Sequence, residues 1–547
     1  MKKKHNMEDY DLTYREFRWE VPEYYNFAVD VVDKWARNPE QEAMVWVDDG
    51  GCEVRKTFRD MSLASKRLAN ALKQQGIKKG DVVLLILPRN VEWWEIFTAC
   101  IRMGALVTPG TTQLTGKDLE YRANTSEARC IFANAEIAEK FDGIAENCPT
   151  VKTRIIISAP RTGWKFYEDT VKEASDKFRA VKTRSDDNCL VYFTSGTAGS
   201  PKMALHTHAS YAVGHQTTGR FWLDLTPSDL HWNLSDTGWA KAAWSSYFGP
   251  WNCGAAVFIH HTDRFDPVKT LELLSAYPIT TLCASPTMYR MMVLKDLNRY
   301  KFPRLRHCVG AGEPLNPEII EIWKADTGLT IRDGYGQTET TLLVGNFPCM
   351  APRIGSMGKQ APGFEVRVLD ETGNRVPPDT EGLIAVRVHP ERPAGLFKEY
   401  WKEPDRTASV YLGDWYLTGD RATMDKDGYF WFVGRSDDLI LSSGYRIGPF
   451  EVESALIKHP AVAESAVVSS PDETRGEVVK AFVMLAPGYD ASENLAKELQ
   501  EHVKKETAPY KYPRKIEFVE SLPKTVSGKI RRVALRKKEW DEDSTQN

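Results

Sequence analysis

The feature that most constrains the fold is a repeated pairing of a short apolar run with an amphipathic stretch. Residues 82–87 lead into 91–104, and residues 280–283 lead, after Pro286, into 287–297. Runs that are apolar throughout indicate strands covered on both faces, and the stretches after them have the spacing of crossover helices. The chain is therefore predicted to be an α/β protein with largely parallel, doubly wound sheets.

Two changes of pattern divide the chain. From residue 354 to 433, short alternating runs punctuated by glycine and proline predict antiparallel hairpins. After Gly434, the sequence alternates strand-like runs with predicted helices. Ser492 is a suitable N-cap for one of these helices, which is predicted to extend to residue 506. The predicted organisation is a large N-terminal domain over 1–434 with a β-rich subdomain at about 354–433, a hinge at 435–438, and a small α+β domain over 439–547.

Charge and hydropathy exclude several partners. Lysine and arginine total 72 against 75 aspartate and glutamate, so a net charge of -3 provides no general attraction to nucleic acid. The richest apolar stretch, residues 82–107, is interrupted by Pro88 and by charged side chains. A membrane-spanning helix needs about 20 apolar residues, so we expect no membrane insertion.

The cysteines indicate a reducing compartment. Nine cysteines occur singly, without a C-x-x-C pair, which argues against a disulfide framework or a zinc site. Free thiols are the default in the cytosol, and we therefore expect a cytoplasmic location. For the assembly we expect a homodimer as a possible state.

A strand-like run at 189–193 leads directly into the loop TSGTAGSPK. Hydroxyl groups, glycines and a lysine supply the O–H donors, exposed N–H donors and positive charge that phosphates require. The spacing is not that of a Walker A loop, and Pro201 removes a donor where the helix of a P-loop would begin. The candidate phosphate ligands are Thr194, Ser195, Gly196, Thr197, Gly199 and Lys202.

Four further clusters follow this loop. They are GAGEP at 310–314 with DGYGQTE at 333–339, YLTGD at 416–420, GR at 434–435, and LPKTVSGK at 522–529. Together the five clusters resemble the adenylate-forming superfamily of acyl-CoA synthetases, peptide-synthetase adenylation domains and luciferases. The resemblance covers most of the chain, and residues 434–483 look most like the medium-chain acyl-CoA synthetases.

The resemblance implies an ATP site with a residue for each part of the nucleotide. The backbone of Gly312, Glu313 and Pro314 and the ring of Tyr335 would enclose adenine, with Asp333 and Gly334 beside them. Asp420 would accept hydrogen bonds from the ribose hydroxyls, and Arg435 would contact ribose or phosphate. Thr338 would contact the α-phosphate and Glu339 would hold Mg²⁺.

The implied reaction has two steps that need different groups at one carbonyl. A carboxylate and MgATP give acyl-adenylate and pyrophosphate, with Lys529 stabilising the attack of one anion on another. Coenzyme A then gives the thioester and AMP. In the family the small C-terminal domain is mobile: it turns about a hinge at the position of Asp437 and brings Ser443, Gly444 and Tyr445 beside the coenzyme A tunnel.

The resemblance also indicates where the acid would bind. The pocket would be lined by Trp239, Lys241, Trp244, Cys283, Ala311 and Gly336. A glycine at 336 stands where acetate-specific enzymes carry a tryptophan, so we expect a short-to-medium-chain acid, straight or branched. Lys241 either enters the pocket or reaches the surface along its apolar stem.

Other functions stay open at this point. An adenylation enzyme that serves a carrier-protein thiol would need a separate carrier of about 80 residues. A non-catalytic nucleotide-binding protein would be favoured by loss of Lys529 or Glu339, and both are present. A nucleic-acid role for the basic run at 524–538 is disfavoured because the run lacks aromatic residues and the whole chain is slightly acidic.

Overall fold

The computed structural model describes residues 5–194, 201–442, 445–472, 475–524 and 530–544. Within these ranges the chain forms four sheets. The strands are β1 (Glu42–Asp48), β2 (Glu53–Thr57), β3 (Val82–Ile86), β4 (Leu106–Gly110), β5 (Cys130–Ala133), β6 (Thr153–Ile156), β7 (Lys165–Phe166), β8 (Asn188–Thr194), β9 (Lys202–Thr207), β10 (Leu230–Asn233), β11 (Ala256–His261), β12 (Thr281–Ala284), β13 (His307–Ala311), β14 (Ile331–Gly336), β15 (Leu342–Gly345), β16 (Lys359–Gln360), β17 (Val366–Leu369), β18 (Gly382–Arg387), β19 (Glu399–Tyr400), β20 (Tyr411–Leu412), β21 (Trp415–Met424), β22 (Phe430–Arg435), β23 (Ile440–Ser442), β24 (Tyr445–Ile447), β25 (Val462–Asp472), β26 (Gly476–Leu485) and β27 (Lys515–Phe518).

The helices are α1 (Tyr10–Glu16), α2 (Phe58–Gln74), α3 (Val91–Met103), α4 (Gly116–Ser126), α5 (Ala135–Asp142), α6 (Tyr167–Lys172), α7 (His215–Thr217), α8 (Ala240–Ala243), α9 (Gly249–Asn252), α10 (Pro267–Ala276), α11 (Pro286–Val293), α12 (Pro317–Thr327), α13 (Pro404–Ser409), α14 (Pro449–Ile457), α15 (Glu493–Glu506) and α16 (Arg532–Ser544). Within the described ranges, no helix has both the length and the apolarity to cross a bilayer.

Two large, mainly parallel sheets form the N-terminal part of the molecule. One has the order β16-β15-β14-β13-β12-β10-β11-β1-β2 and is parallel from β14 to β1. The other has the order β19-β9-β8-β4-β3-β5-β6-β7 and is parallel from β8 to β7. Strand β3 is buried along its whole length, as expected of a parallel strand with both faces covered. The α/β class predicted from the alternating pattern is confirmed.

Two smaller sheets follow. Strands β17, β18, β20, β21 and β22 form an antiparallel sheet, where the alternating runs predicted hairpins. The last sheet has the order β24-β23-β26-β25, with β27 parallel to β26, and α14 and α15 contribute to its buried core. The domain boundaries themselves stay a prediction.

Local signals set most element ends. Ser492 caps α15 by accepting a hydrogen bond from the amide of Leu495 at 3.1 Å, as predicted. The helix predicted over 287–297 is shorter: α11 ends at Val293, and Leu297–Arg299 form a separate turn. Leu294, at 75% exposure, no longer points into the core, so the apolar spacing that suggested a longer helix is broken there.

The core around α3 contains a buried ion pair. Arg102 is 1% exposed, and both terminal nitrogens of its guanidinium lie 2.8 Å from the carboxylate of Asp33, while its Nε donates to Ser65 Oγ. Burial by itself would raise the pKa of Asp33. The hydrogen bond and charge of Arg102, together with a hydrogen bond from Ser62, outweigh the effect of burial, and the pKa of Asp33 is therefore lowered. The pair fastens α3 to the N-terminal segment.

Removing Arg102 should be costly because the half-buried carboxylate of Asp33, 25% exposed, would lose its closest cation and keep Lys66 at 3.6 Å. Arg102→Met is expected to lower the free energy of unfolding by about 3 kcal/mol, measured as a shift of the urea midpoint followed by tryptophan fluorescence. Arg184→Met is the matched control, since Arg184 is 51% exposed in its ion pair with Glu23 and should contribute under about 1 kcal/mol. Equal shifts for the two variants would contradict this assignment.

Candidate active site

One cavity of about 590 Å³ collects the predicted nucleotide ligands. It lies at the carboxyl ends of β8, β13 and β14, the edge at which open parallel sheets bind ligands. Its lining includes Thr194, Lys202, Gly312, Glu313, Pro314, Asp333, Gly334, Tyr335, Thr338, Glu339, Asp420 and Arg435. Four phosphate-loop predictions, Ser195, Gly196, Thr197 and Gly199, lie outside the described residues, as do Lys529, Ser443 and Gly444.

Glycines shape one wall of this cavity. Gly312 has a φ of +105°, a conformation that favours glycine, and it turns the chain away from the end of β13. A Cβ at Gly334 would lie 2.5 Å from the Trp222 ring. Glycine at 334 therefore lets β14 pack directly on that indole.

A carboxylate on β21 joins β14 across the cavity. Asp420 Oδ2 accepts hydrogen bonds from the hydroxyl of Tyr335 at 2.5 Å and from the side-chain amide of Gln337 at 2.6 Å. Burial raises the pKa of Asp420 to about 6, against the lowering effect of the Tyr335 hydrogen bond and the Arg435 charge. Asp420 is thus ionised near neutral pH, with lone pairs left to accept further donors.

A second chain of hydrogen bonds runs from a lysine to a carboxylate. Lys202 Nζ donates to the hydroxyl oxygen of Tyr400 at 3.2 Å, and Tyr400 donates to Glu339 Oε1 at 2.8 Å. Burial lowers the pKa of Lys202, although the Glu339 charge opposes that effect, and burial together with Glu339 raises the pKa of Tyr400. The arrangement presents one cation and one carboxylate to the same cavity.

The turn that carries Thr338 is held from behind. Its carbonyl oxygen accepts from the Tyr211 hydroxyl at 2.9 Å and lies 2.8 Å from His206 Nε2. Burial lowers the pKa of His206 to about 3, so the imidazole is neutral and Nε2 carries the proton toward the carbonyl. Tyr211 and His206 therefore fix the backbone next to the Thr338 side chain.

Of the predicted acid pocket, Gly336 lines the cavity, whereas the other five residues are not among its lining residues: Trp239, Lys241, Trp244, Cys283 and Ala311. A Cβ at Gly336 would come within 2.4 Å of both the Trp244 ring and the Thr341 carbonyl oxygen. The glycine therefore makes room for the indole of Trp244. Lys241 does not reach out to solvent: Nζ donates to the carbonyls of Ala311 at 2.6 Å and Ala284 at 2.9 Å.

The C-terminal part of the chain also contributes to the cavity. Ile530, Arg531, Arg532 and Val533, which directly follow Lys529 in the sequence, are among the lining residues. Arg532 is paired with Glu453 of α14, with Nη2 2.6 Å from Oε2.

Of the predicted hinge and coenzyme A residues, Asp437 and Tyr445 are described and are not among the lining residues of the cavity. Asp437 Oδ1 lies 3.2 Å from Arg435 Nε, and the Asp437 carbonyl accepts from Arg536 at 2.8 Å. Tyr445 is 51% exposed and stacks on Tyr510 with 4.3 Å between the ring centroids.

Sequence reasoning missed several cavity residues. Tyr400 and Gln337 bond directly to predicted ligands, and Arg290 and Glu464 also line the cavity. Gln337 lies inside the DGYGQTE cluster and could have been inferred from it. Tyr400 is separated from Lys202 by 198 positions and carries no motif, so only the fold brings the two together.

The chain is similar to known proteins along nearly its whole length. A model of the AMP-binding enzyme family matches residues 31–401, and a model of the AMP-binding enzyme C-terminal domain matches 451–529. Acyl-coenzyme A synthetase ACSM3, mitochondrial, of Mus musculus is 53% identical over 545 residues, which cover 98% of this chain and 94% of that protein. Acyl-coenzyme A synthetase ACSM4, mitochondrial, of Homo sapiens is 52% identical over 530 residues, covering 95% and 91%.

Solved structures agree. The anthranilate CoA ligase AuaEII in complex with anthranoyl-AMP superposes with a TM-score of 0.88 at 31% identity, covering 96% of this chain and 99% of that one. MatB from Rhodopseudomonas palustris, 25% identical, gives 0.84 in its ATP-bound form, covering 95% of this chain and 100% of that one. Its apo form gives 0.74 at the same identity, with 94% and 99% covered.

The comparisons correct one expectation. The sequence led us to expect a cytoplasmic location, from unpaired cysteines alone. That expectation is wrong, because the relatives that are about half identical over nearly the whole chain are named as mitochondrial proteins. Reduced thiols indicate a reducing environment and do not distinguish one intracellular compartment from another.

The raised pKa of Asp420 leads to a stability prediction. Because the pKa is raised, the neutral carboxyl stabilises the folded protein fully below about pH 4. This stabilisation is lost as the pH rises through about 6. Asp420→Asn stays neutral, so at pH 7 it should raise the free energy of unfolding by about 1–3 kcal/mol, measured by urea denaturation.

Asp229→Asn is the control with the opposite sign. Burial would raise the pKa of Asp229, but Arg306, at 2.9 Å, outweighs it and lowers that pKa well below the ordinary value. The ionised form stabilises the fold, and the Asn variant should therefore be less stable at pH 7. A loss of stability in both variants would refute the cost assigned to Asp420.

Proposed function

This chain belongs to the AMP-binding enzyme family, and on that premise we propose how its cavity joins a carboxylic acid to coenzyme A. The protein is an acyl-CoA synthetase, an AMP-forming acid–thiol ligase. Its substrates are a carboxylic acid, MgATP and coenzyme A. A carboxylate oxygen attacks the α-phosphorus and pyrophosphate leaves; the thiol sulfur of coenzyme A then attacks the acyl carbon and AMP leaves.

The observation that carries the proposal is the Tyr335–Asp420 pair at the carboxyl end of β14. Tyr335 offers a ring face to adenine opposite the backbone of 312–314, and the ionised Asp420 accepts hydrogen bonds from the ribose diol. Arg435 lines the same cavity and brings a fixed positive charge to the ribose or phosphate.

The phosphates would extend toward Lys202 and Glu339. Thr338, on a backbone fixed by Tyr211 and His206, donates to the α-phosphate, while Lys202 and the loop after Thr194 hold the remaining phosphates. Magnesium enters with ATP as part of the substrate. The single carboxylate of Glu339 fits this, because Mg²⁺ keeps several water ligands and is commonly held by one or two carboxylates plus phosphates.

Lys529 would neutralise the charge that develops as carboxylate and α-phosphate meet. Ile530 and Arg531, which follow Lys529 in the sequence, line the cavity and support this role. For the second step we propose that the domain after the hinge at 435–438 turns about Asp437. This would withdraw Lys529 and bring Ser443, Gly444 and Tyr445 beside the thiol.

The acid would lie behind Gly336. The Trp244 ring lies directly against that glycine, and Lys241, Cys283 and Ala311 would form the wall of the acid pocket. An indole at this place leaves room for a short-to-medium chain and limits longer ones. Since the relatives are mitochondrial, we infer that the reaction takes place in mitochondria. The homodimer stays a prediction, and light scattering tests it by measuring the molar mass in solution.

A panel of acids tests the activity. Pyrophosphate release from MgATP is measured with acids from acetate to octanoate, including 2-methyl-branched and aromatic ones, with and without coenzyme A. We expect continuous turnover that requires coenzyme A and is fastest with one short-to-medium acid. Release that stalls near one equivalent, and is not restored by coenzyme A, would point to a carrier-protein thiol instead.

Trp244 should set the upper limit of chain length. Trp244→Ala is expected to shift the preferred acid to longer chains, with a gain of about tenfold in kcat/KM for each methylene newly accommodated. Trp244→Phe keeps an aromatic ring at the same place and should keep the original profile. An unchanged profile in the alanine variant would remove Trp244 from the acid pocket.

A further inference from the structure

A buried carboxylate at the edge of the cavity contacts both parts of the molecule. Glu464 lies on β25, and its side chain is 6% exposed. Its Oε1 accepts from Arg290 Nη1 at 3.0 Å, and its Oε2 lies 2.7 Å from Lys524 Nζ. Arg290 belongs to α11 of the large N-terminal part, whereas Glu464 and Lys524 follow the predicted hinge.

The two partners of Glu464 belong to different parts of the molecule. Lys524 forms an isolated antiparallel bridge with Ile530, which lines the cavity together with Arg531. Arg290 and Glu464 both line the cavity, and their hydrogen bond crosses from α11 to β25. Glu464 thus ties the segment that contains Lys524 to the large N-terminal part.

We propose that Glu464 is a positioning residue for adenylate formation: it holds the C-terminal part of the molecule in the arrangement in which Ile530 and Arg531, next to Lys529 in the sequence, line the cavity. The proposal rests on the proposed function. If the C-terminal domain turns, the Glu464–Arg290 bond must break, while the Glu464–Lys524 bond travels with the domain. The described arrangement is also nearer to the ATP-bound form of MatB than to its apo form, as the two TM-scores show.

The charges suit a contact that forms and breaks. A buried carboxylate that lost its only partner would be strongly destabilised. Here Lys524 still compensates Glu464 when Arg290 is withdrawn, and the Arg290 side chain, already 22% exposed beside the cavity, can be hydrated. The bond can therefore be released without leaving an unpaired buried charge.

The test separates the two half-reactions. Adenylate formation is followed as pyrophosphate release without coenzyme A in single turnover, and thioester formation is followed from supplied acyl-adenylate. Arg290→Gln should slow the first about tenfold with little change in the KM for ATP, and leave the second unchanged or faster. Arg290→Lys should restore most of the rate, and Arg299→Gln, in an exposed pair with Asp296, should change neither.

A double-mutant comparison decides whether Arg290 acts through Glu464. In a Glu464→Gln background, Arg290→Gln should have no further effect on adenylate formation. Lys529→Ala gives the reference for a direct loss of the first half-reaction. Circular dichroism and the thermal midpoint confirm that the variants are folded.

Two outcomes would overturn the proposal. Additive losses, or a raised KM for ATP in Arg290→Gln alone, would make Arg290 a direct substrate ligand. Equal losses in both half-reactions would make the pair merely structural. Failure of the proposed function is distinct from both, because it would appear as absent coenzyme A-dependent turnover in the unmodified protein.

Discussion

The Asp420 carboxylate is the contact on which the site depends. It joins β21 of the small antiparallel sheet to β14 of the nine-stranded sheet through Tyr335 and Gln337, and so places the Tyr335 ring, the Asp420 carboxylate and the turn at Thr338 around one cavity. Keeping this acid ionised in a buried position costs stability, as its raised pKa shows. A ligand with two hydroxyl donors would offset that cost in stability when it binds, because its hydroxyl groups donate hydrogen bonds to the carboxylate.

Elsewhere the protein neutralises its buried charges. Arg102 is paired with Asp33, and Lys480 is paired with Glu517 at 2.6 Å and with Glu539 at 2.5 Å. In such pairs, close ionic contacts offset the loss of hydration, and the paired segments are held in one arrangement. Glu464 differs because one of its two partners belongs to the other part of the molecule. A pair of that kind can respond to a rotation that a pair within one domain would not sense.

Much of the fold could be predicted because it depends on local pattern. Fully apolar runs such as β3 become buried parallel strands, and Ser492 caps the helix that follows it. Three of the motif segments on the cavity could be predicted for a related reason: those that begin at Thr194, Gly310 and Asp333 lie at the ends of β8, β13 and β14, and parallel strands bring their carboxyl ends to one edge. Asp420 and Arg435 lie instead on the antiparallel strands β21 and β22. Tyr400, Arg290 and Glu464 carry no such signal, since each acts through a partner distant in the chain.

The sequence by itself determined the α/β architecture through its local pattern, and its motifs determined the resemblance that implies the reaction class and the residues proposed to face the nucleotide. Tertiary structure decided what those residues can do together. It set the pKa of Asp420 through burial, placed the Trp244 indole in the space that Gly336 leaves, and turned Lys241 toward two backbone carbonyls. Burial and distance are properties of packing between distant segments, and no local pattern encodes them.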